Sequence, residues 1–399
     1  MTKDGNDMRA GQIGSTPDRR AADPKPLVCF ILSSPYFLNA FLLGHIHRIS
    51  LDFRVLVFLN LQNDDVRVAP SADFETRHIA IRRDIAPWHD LCALFELIRI
   101  FRSLPLSAVV SFTPKAGLLG MLAARCAGIP VRIHYFTGQV WATAKGGKRL
   151  LLKSLDQVLA ACSTALLTDS SSQKEYLVSQ GISRDAKIQV LGSGSICGVD
   201  LKRFRWDAEA REDIRAALGI PEDAKCLLYI GRMNRDKGVE DLLQAFHSLR
   251  SHNPSVHLLL VGPDEGRLLK DVTDANIHPI GYTLTVEKYM SACDILCLPS
   301  YREGFGNVLI EAAAVGLPAV ASRIYGITDA VVEGVTALLH RPGDIEEIET
   351  CLSGLLDDPL KCRELGDHGR KRAAEWFSSE IIENLFSRFL LDCLKKYHP

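Results

Sequence analysis

The sequence lacks several features that would place it in a common class of protein. None of its uncharged apolar runs reaches the roughly 20 residues that a membrane-spanning helix needs. None of its eleven cysteines belongs to a C-x-x-C pair, and no histidine lies at zinc-finger spacing from them. Several cysteines stand inside apolar runs, among them Cys226, Cys293 and Cys297, and we expect them to be reduced core residues of a cytoplasmic protein.

The N-terminal segment contains no apolar stretch of the kind that a secretory signal requires. Residues 1–24 are polar and precede the first apolar run. We expect them to form a disordered tail.

Acidic residues are missing between Leu97 and Leu155, where nine basic residues lie. More broadly, residues 25–200 carry a formal charge of +6 and residues 201–399 carry one of −7. A basic N-terminal half suggests an anionic partner, such as an acidic membrane surface or a phosphorylated substrate. A chance excess of charge on a solvated face is the alternative. We expect no nucleic acid partner.

Short apolar runs alternate regularly with helical patterns along the chain, which predicts a parallel α/β architecture. The composition, 47% apolar and 24% charged, and the length of 399 residues suffice for two domains with complete cores. We therefore predict two doubly wound Rossmann-like domains that face a cleft. The predicted units are residues 25–200, residues 201–378 and a final helix, residues 379–399, that packs back on the N-terminal domain.

The apolar runs predict individual strands and helices. The predicted strands are residues 27–34, 53–60, 108–112, 131–135, 165–169, 187–191, 226–230, 256–261, 277–282, 294–300 and 318–322. The predicted helices include residues 115–128, 146–162, 239–251, 284–293, 306–316, 345–357 and 360–376. Two short motifs have structural interpretations: Gly192–Gly198 has the wrong spacing for a dinucleotide fingerprint and predicts an interdomain turn, and Ser170–Ser172 predicts a helix N-cap.

Two carboxylates bracket a glycine-rich turn in EGFGNVLIEAAA (303–314). The segment follows a predicted strand and begins a helix, whose free N–H groups and positive dipole end suit a phosphate. Glu303 lies before this anion site and Glu311 lies further along the helix, so each can reach a group on a different side of the phosphate. Because carboxylates accept hydrogen bonds from vicinal hydroxyls, a sugar linked through a diphosphate to a nucleoside would fit. Two solvated glutamates are the alternative, which the apolar surroundings of Glu311 disfavour.

The segment GRMNRDKG (231–238) also joins a predicted strand to a helix, and it carries the cations Arg232 and Lys237. These could neutralise a diphosphate leaving group, whereas a solvated turn is the alternative. The sequence contains no Asp-x-Asp, the usual short signature of a Mg²⁺-bridged nucleotide sugar. We predict that no metal ion and no cofactor is required.

The segments GRMNRDKG, LPSYREGFGNVLIEAAAVGLPAVAS and YGITDAVVEGVTALL resemble the C-terminal domain of glycosyltransferase family 4. The resemblance covers roughly residues 26–390 and implies a retaining, metal-independent enzyme of the GT-B fold. It implies that Arg232 and Lys237 bind the diphosphate, that Glu303 contacts the donor sugar and that Glu311 contacts the ribose. The other donor-binding positions that it implies are Gly231, Gly281, Tyr282, Gly304, Phe305, Gly306, Asn307 and Val308.

The N-terminal half matches the family less closely. HYFTGQVW (134–141) resembles the segment that carries the family's active-site histidine, so His134 is the candidate for contact with the donor sugar, and Gly138 is placed on the acceptor side. Lys115 in TPKAGLLG (113–120) could contact an acceptor phosphate, or it could be a solvated lysine. In the second half, Thr328-Asp329 departs from the Pro-Glu that relatives often have.

Both N-terminal segments resemble those of bacterial members that extend lipid-diphosphate-linked sugars for O-antigen, capsule or exopolysaccharide. The stretch 141–159 places four basic residues beside apolar ones, namely Lys145, Lys148, Arg149 and Lys153. This pattern fits an anionic membrane surface, and a helix with a solvated basic face is the alternative. We expect a cytoplasmic protein that is peripheral at the inner face of the cytoplasmic membrane.

Together these features predict a retaining glycosyltransferase. It would move a hexose or N-acetylhexosamine from a nucleotide-diphosphate sugar, with UDP expected, to a polyprenyl-diphosphate-linked sugar. Two alternatives remain open, which are a sugar-nucleotide epimerase of the same fold and a non-catalytic sugar-nucleotide-binding subunit of a polysaccharide assembly complex. The family motifs oppose the first alternative, and the presence of both cations and both glutamates opposes the second.

Overall fold

The computed structural model describes residues 25–62, 67–82, 86–270 and 272–397. The expected N-terminal tail, residues 1–24, lies outside the described residues. Two parallel sheets, one in each half of the chain, form the described structure.

The N-terminal sheet has seven parallel strands in the order β3-β2-β1-β4-β5-β6-β7. Its strands are β1 (Leu27–Ile31), β2 (Arg54–Leu59), β3 (Phe74–His78), β4 (Leu106–Ser111), β5 (Val131–Phe136), β6 (Ala165–Thr168) and β7 (Ile188–Val190). The central strands are almost continuously apolar because helices bury both faces of the sheet. The strand order reverses between β1 and β4, and ligands of such sheets bind beyond the carboxyl ends of the strands at such a reversal.

Helices cover both faces of this sheet. They are α1 (Pro35–Phe41), α2 (Leu43–Ser50), α3 (Pro87–Ser103), α4 (Pro114–Cys126), α5 (Gly146–Cys162) and α6 (Ser171–Ser179). Leu97, Leu119, Leu159 and Leu177 bury α3 to α6 in one core cluster, whereas α1 and α2 belong to the cluster on the opposite face. Because each of α3 to α6 follows a parallel strand, their N-terminal ends lie at the edge of the sheet where the strands end.

The C-terminal sheet has six parallel strands in the order β10-β9-β8-β11-β12-β13. Its strands are β8 (Cys226–Ile230), β9 (His257–Val261), β10 (Ile277–Gly281), β11 (Ile295–Leu298), β12 (Ala319–Ser322) and β13 (Ala337–His340). Its helices are α7 (Ala208–Leu218), α8 (Val239–His252), α9 (Val286–Ala292), α10 (Asn307–Val315), α11 (Ile327–Ala330), α12 (Ile345–Leu356) and α13 (Pro359–Trp376). The predicted fold of two doubly wound α/β domains is confirmed.

The last helix, α14 (Ser379–Tyr397), lies on the N-terminal domain. It contributes Phe386 and Leu390 to the core cluster of α1 and α2. At the crossing between domains, Val199 N donates to Phe377 O at 2.7 Å and Ser379 N donates to Val199 O at 2.9 Å. The chain therefore passes between the domains at two adjacent points, which defines one side of the cleft.

Two strands depart from the sequence prediction. The pattern does not predict β3, a mostly polar strand at an exposed sheet edge, or β13, a four-residue strand at the edge of the other sheet. Cys226, Cys293 and Cys297 are buried free thiols, as expected. In the part of the chain that the structure describes, no helix combines the length and the apolar character needed to cross a membrane.

Candidate active site

Three glycines line the ends of three adjacent strands in the C-terminal sheet. Gly231 follows β8, Gly262 follows β9, and Gly281 ends β10. Gly262 has a φ of 133°, and a Cβ atom there would overlap the carbonyl oxygen of Gly231. This row therefore presents bare backbone that a ligand can approach closely. Gly262 is not among the expected donor-binding positions, although it follows an apolar strand directly, as Gly231 does.

The loop after β8 holds its two cations in different environments. The side chain of Arg232 is 54% exposed, and its Nη1 lies 3.3 Å from Glu265 Oε2. An ion pair this exposed is weak, so a more highly charged anion can compete for the guanidinium. Lys237 ends a short 3₁₀ turn, Arg235–Lys237, and is mostly buried.

Lys237 is paired with Glu303. Its Nζ lies 2.5 Å from Glu303 Oε1, and Ser300 Oγ donates to the same oxygen at 2.9 Å. These contacts join the loop after β8 to the loop after β11. In the described residues, Glu303 Oε2 has no hydrogen-bond partner. One carboxylate oxygen is therefore held by the protein, and the other can accept a hydrogen bond from a ligand hydroxyl.

Glu311 lies partly buried in the second turn of α10. None of the described residues donates a hydrogen bond to its carboxyl group. Burial raises its pKa to about 7, with Arg203 opposing this rise and Glu287 adding to it. The carboxyl group is therefore an available acceptor whose charge titrates near neutral pH.

The N-terminus of α10 presents backbone between the two glutamates. Gly306 precedes the helix with a φ of 84°, a conformation that favours glycine. The Phe305 side chain is buried against Phe377, with ring centroids 5.3 Å apart, so it belongs to the core. Asn307 Oδ1 accepts a hydrogen bond from Ser195 Oγ of the N-terminal domain at 2.8 Å, and Val308 is partly buried.

Tyr282 lies half-exposed beyond the glycine row and meets an aromatic side chain of the other domain. Its ring and that of Tyr36, in α1, pack edge to face with centroids 6.2 Å apart. This contact spans the two domains close to the end of β10. It supplies an aromatic surface at Tyr282, one of the expected donor-binding positions.

The loops after β5 and β6 meet the loop of Glu303 from the opposite domain. A Cβ atom on Gly138 would lie 3.3 Å from Arg302 Nη1 and 3.6 Å from Gly304 N. Ser170 Oγ donates to Gly304 O at 3.1 Å. Gly138 and Gly304 thus allow the two backbones to approach closely at the domain interface.

The N-terminus of α6 is capped from both domains. Ser170 Oγ accepts from Gln173 N at 3.2 Å, which confirms the predicted N-cap. Asp329, from the C-terminal domain, accepts from Ser171 N at 3.1 Å and from Ser172 N at 3.3 Å. A carboxylate is stabilising at this end of a helix dipole. Asp329, part of the departure from the family pattern, therefore joins the two domains.

Two family models match the chain. The model described as glycosyl transferases group 1 matches residues 210–372, and that described as glycosyl transferase 4-like domain matches residues 48–194. Capsular polysaccharide biosynthesis glycosyltransferase CapM from Staphylococcus aureus is 32% identical over 352 residues, which cover 84% of this chain and 92% of CapM. The chain belongs to the family described as glycosyl transferases group 1.

Other relatives of this glycosyltransferase agree with the assignment. The UDP-Gal:alpha-D-GlcNAc-diphosphoundecaprenol alpha-1,3-galactosyltransferase of Escherichia coli is 26% identical, and the match covers 70% of this chain and 73% of that protein. Sucrose-phosphate synthase from Thermosynechococcus elongatus has the same fold, with a TM-score of 0.79, 21% identity and coverage of 93% and 100% of the two chains. Anabaena HepE in complex with UDP-glucose gives a TM-score of 0.73 at 18% identity, with coverage of 92% and 99%.

The structure of this glycosyltransferase corrects the expectation for His134. The side chain is 1% exposed inside the N-terminal domain, where its Nδ1 lies 2.8 Å from Ser111 Oγ. A Cβ atom on Gly117 of α4 would collide with the ring, and burial lowers its pKa to about 3. His134 is therefore a neutral core residue within β5, and the cleft-facing position of this segment is Gly138, four residues later.

The basic candidates on the acceptor side of the glycosyltransferase divide into two groups. Lys115 forms an ion pair with Asp90 at 2.6 Å and is mostly buried, so it is not a solvated lysine, and its contact with an acceptor phosphate stays a prediction. Arg149 donates to Trp141 O at 3.2 Å, and both Arg149 and Lys153 contact Gln180 Oε1, so these two cations face the protein. The other two candidates, Lys145 and Lys148, are exposed at the start of α5.

Proposed function

We propose that this enzyme is a retaining, metal-independent glycosyltransferase of bacterial surface polysaccharide synthesis. It moves a hexose or N-acetylhexosamine from a nucleotide-diphosphate sugar, with UDP as the expected nucleotide, to a polyprenyl-diphosphate-linked sugar. The observation that carries the proposal is the Lys237–Glu303 pair, which joins the loop after β8 to the loop before α10 and leaves Glu303 Oε2 without a hydrogen-bond partner among the described residues. The names of the relatives support the substrate classes, since one uses UDP-galactose and a diphosphoundecaprenol-linked sugar and another is bound to UDP-glucose.

The donor would lie in the cleft with its nucleobase, ribose, diphosphate and sugar in sequence. The nucleobase lies by Gly281 and Tyr282, and the ribose hydroxyls donate to Glu311. The diphosphate meets the N-terminus of α10 and the cations of the loop after β8. The sugar hydroxyls reach Glu303 Oε2, which no described group of the protein occupies.

Transfer would depend on stabilising the leaving diphosphate. The acceptor hydroxyl oxygen bonds to the anomeric carbon as the bond from that carbon to the diphosphate breaks, and the hydroxyl proton leaves with the diphosphate. Lys237 and Arg232 compensate the charge that develops on the departing group. Closure of the two domains excludes water, and the cap of α6 by Asp329 favours the closed arrangement.

An apolar stripe on the N-terminal domain supports docking to an anionic lipid surface. Trp88 and Phe95, which are 74% and 62% exposed, lie with Leu91 on one face of α3. Leu150 and Leu151 are exposed at the start of α5, next to the exposed Lys145 and Lys148. Since both helices begin at the edge of the sheet that borders the cleft, this face would bring a lipid-carried acceptor close to the active site.

The first experiment offers a panel of radiolabelled nucleotide sugars to the purified enzyme and bacterial membranes, with and without EDTA. Label in the lipid extract from one donor, undiminished by EDTA and absent with Glu303→Gln, is the expected result. Nucleotide release with a soluble acceptor but no labelled lipid would contradict the lipid acceptor. Donor binding without any turnover would favour the non-catalytic subunit, and interconversion of nucleotide sugars would favour the epimerase.

A second experiment tests the docking face with vesicles. Cosedimentation with phosphatidylglycerol-containing vesicles should exceed that with pure phosphatidylcholine and should fall for the double variant Trp88→Ser, Phe95→Ser. Trp376→Ser, which removes an exposed tryptophan from the C-terminal domain, is the matched control. Equal binding by the double variant and the control would refute the assignment of this face.

A further inference from the structure

A buried carboxyl group, that of Asp169, lies at the domain interface. Asp169 follows β6 and is 4% exposed. Its backbone is held on both sides, because its N–H donates to Gln173 Oε1 at 2.8 Å and its carbonyl accepts from Ser195 N at 2.7 Å. This residue belongs to the N-terminal domain, but its side chain meets the C-terminal domain at Gly304.

Gly304 is a glycine because Asp169, together with the backbone at Thr137 and Gly138, occupies the space that a side chain would need. A Cβ atom on Gly304 would overlap Asp169 Oδ2. The backbone of Gly304 is not in the left-handed region, so the conformation itself would tolerate other residues. The neighbouring Ser170 Oγ donates to the carbonyl oxygen of Gly304 at 3.1 Å. Asp169 and Ser170 together set the position of the residue that follows Glu303.

The Asp169 carboxyl is unpaired although it is buried. Its Oδ1 has no hydrogen-bond partner in the described part of the chain. Burial and the charge of Glu303 hold its pKa well above the usual range of an aspartate. The other titratable groups that face it, Tyr135 and Cys197, have pKa values raised by burial and are themselves neutral. Lys237 already compensates the charge of Glu303, so a second carboxylate here would leave an uncompensated negative charge beside the anionic donor.

We infer that Asp169 is a positioning residue of the transfer reaction, which by packing its carboxyl group against Gly304 holds Glu303 and the backbone of Gly304 in place for the donor sugar. The inference rests on the proposed function, because the group that Glu303 contacts is the transferred sugar. The contact exists only when the two domains are together, so Asp169 links domain closure to the geometry of the sugar site. Ionisation of Asp169 would disturb this geometry and repel the diphosphate.

Two substitutions separate this role from a structural one. Asp169→Asn keeps a neutral side chain of the same shape and should retain kcat within about threefold. Asp169→Ala should lower kcat by about ten- to a hundredfold. Wild-type activity should fall as the pH rises through the pKa of Asp169, and Asp169→Asn should lack this fall. The control is Asp156→Asn, which changes another buried carboxyl of the same domain that accepts from Trp141 Nε1 at 2.7 Å.

Binding provides a readout that does not need turnover. Calorimetry with UDP and with the UDP-sugar that binds best should show unchanged affinity of Asp169→Ala for UDP and a loss of about tenfold for the UDP-sugar, because only the latter contacts Glu303. If the wild type binds the UDP-sugar but transfers nothing, the proposed reaction is refuted. The inference on Asp169 is still tested, because the affinity loss of Asp169→Ala for the UDP-sugar can be compared with its loss for UDP. Equal loss for both ligands, or no loss for either, would overturn the inference.

A double-mutant cycle tests the contact with Gly304. Gly304→Ala should impair the wild-type enzyme strongly, and its effect should be at least threefold smaller in the Asp169→Ala background, where the overlapping carboxyl is gone. Additive effects of the two changes, or an Asp169→Asn variant as impaired as Asp169→Ala, would contradict a neutral carboxyl packed on Gly304. Melting temperatures of all variants confirm that the loss is measured on folded protein.

Discussion

The carboxyl group of Glu311 predicts a pH-dependent affinity for the donor. Its pKa in the free enzyme is about 7, because burial disfavours the charged form. We propose that the ionised form accepts hydrogen bonds from the ribose hydroxyls. The ionised fraction of such a group rises from about one tenth at pH 6 to about nine tenths at pH 8, so affinity should rise about tenfold, or about 1.4 kcal/mol.

The assay is calorimetric titration with a UDP-sugar between pH 6 and pH 8. A UDP-sugar is preferred to UDP because the terminal phosphate of UDP has a second pKa of about 6, as in phosphate monoesters. That titration would add its own pH dependence to the measured affinity. Glu311→Gln should bind more weakly and lose the pH dependence. The control Glu375→Gln, on the exposed surface of α13, should keep both the affinity and its pH dependence. An affinity of the wild type that stays flat across this range would refute the role of Glu311.

The same carboxyl predicts the sign of a stability change. The pKa of a glutamate is ordinarily 4.5 and that of Glu311 in the folded enzyme is about 7, so between these values the folded state binds the proton more strongly than the unfolded chain does. Wild-type stability should therefore fall as the pH rises from about 4.5 to about 7, by at most roughly 3 kcal/mol. Glu311→Gln has no carboxyl group to ionise, so it avoids this loss of folding stability. At pH 8 the variant should therefore melt at a higher temperature than the wild type while binding the donor less well. A variant that melts below the wild type at pH 8 would refute the reasoning.

Three further substitutions test the site in transfer assays and in solution. Lys237→Ala should lower kcat by about 10²–10³-fold. Arg232→Ala should lower kcat less, because the Arg232 side chain is half-exposed. Equal losses of kcat in the two variants would contradict this ranking. Asp329→Asn should weaken the closed arrangement by about 1–2 kcal/mol, seen as a larger radius of gyration by solution scattering, and an unchanged radius would oppose the interdomain cap. His134→Ala should lower stability by about 2–4 kcal/mol in denaturant unfolding but leave kcat/KM within threefold, and a kinetic loss as large as that of Lys237→Ala would restore a catalytic role.

Local patterns in the sequence predicted most of the fold and the strand-end loops that form the candidate site. The strands of both sheets are apolar runs bounded by turn residues, and burial on both faces is what makes them apolar. The motifs around Lys237, Glu303 and Glu311 lie at strand ends, and strand ends of a parallel sheet share one edge. The N-cap at Ser170 follows from its own sequence because capping is a contact between neighbours.

Predictions failed where a side chain could turn to either of two environments. His134 and Gly138 belong to one motif, but His134 lies within strand β5 and is buried in the core, whereas Gly138 lies in the loop after the strand, at the interface. For Lys115 the sequence left a phosphate contact and a solvated position open, and only the fold shows its ion pair with Asp90, which is distant in sequence. Polar composition likewise concealed β3, since an edge strand with little buried surface has no apolar signature.

By itself the sequence determined the α/β fold, the glycine row at Gly231 and Gly281, and the charged groups available to a nucleotide sugar. Only the tertiary structure decided which of those charges pair with each other, as in the Lys237–Glu303 pair, and which remain for a ligand, as in Glu311. It also brought Asp169 and Asp329 across the domain interface to the loops they contact. The physical reason is that propensity and periodicity act over a few residues, whereas burial and charge pairing depend on groups that the fold brings together from distant parts of the chain.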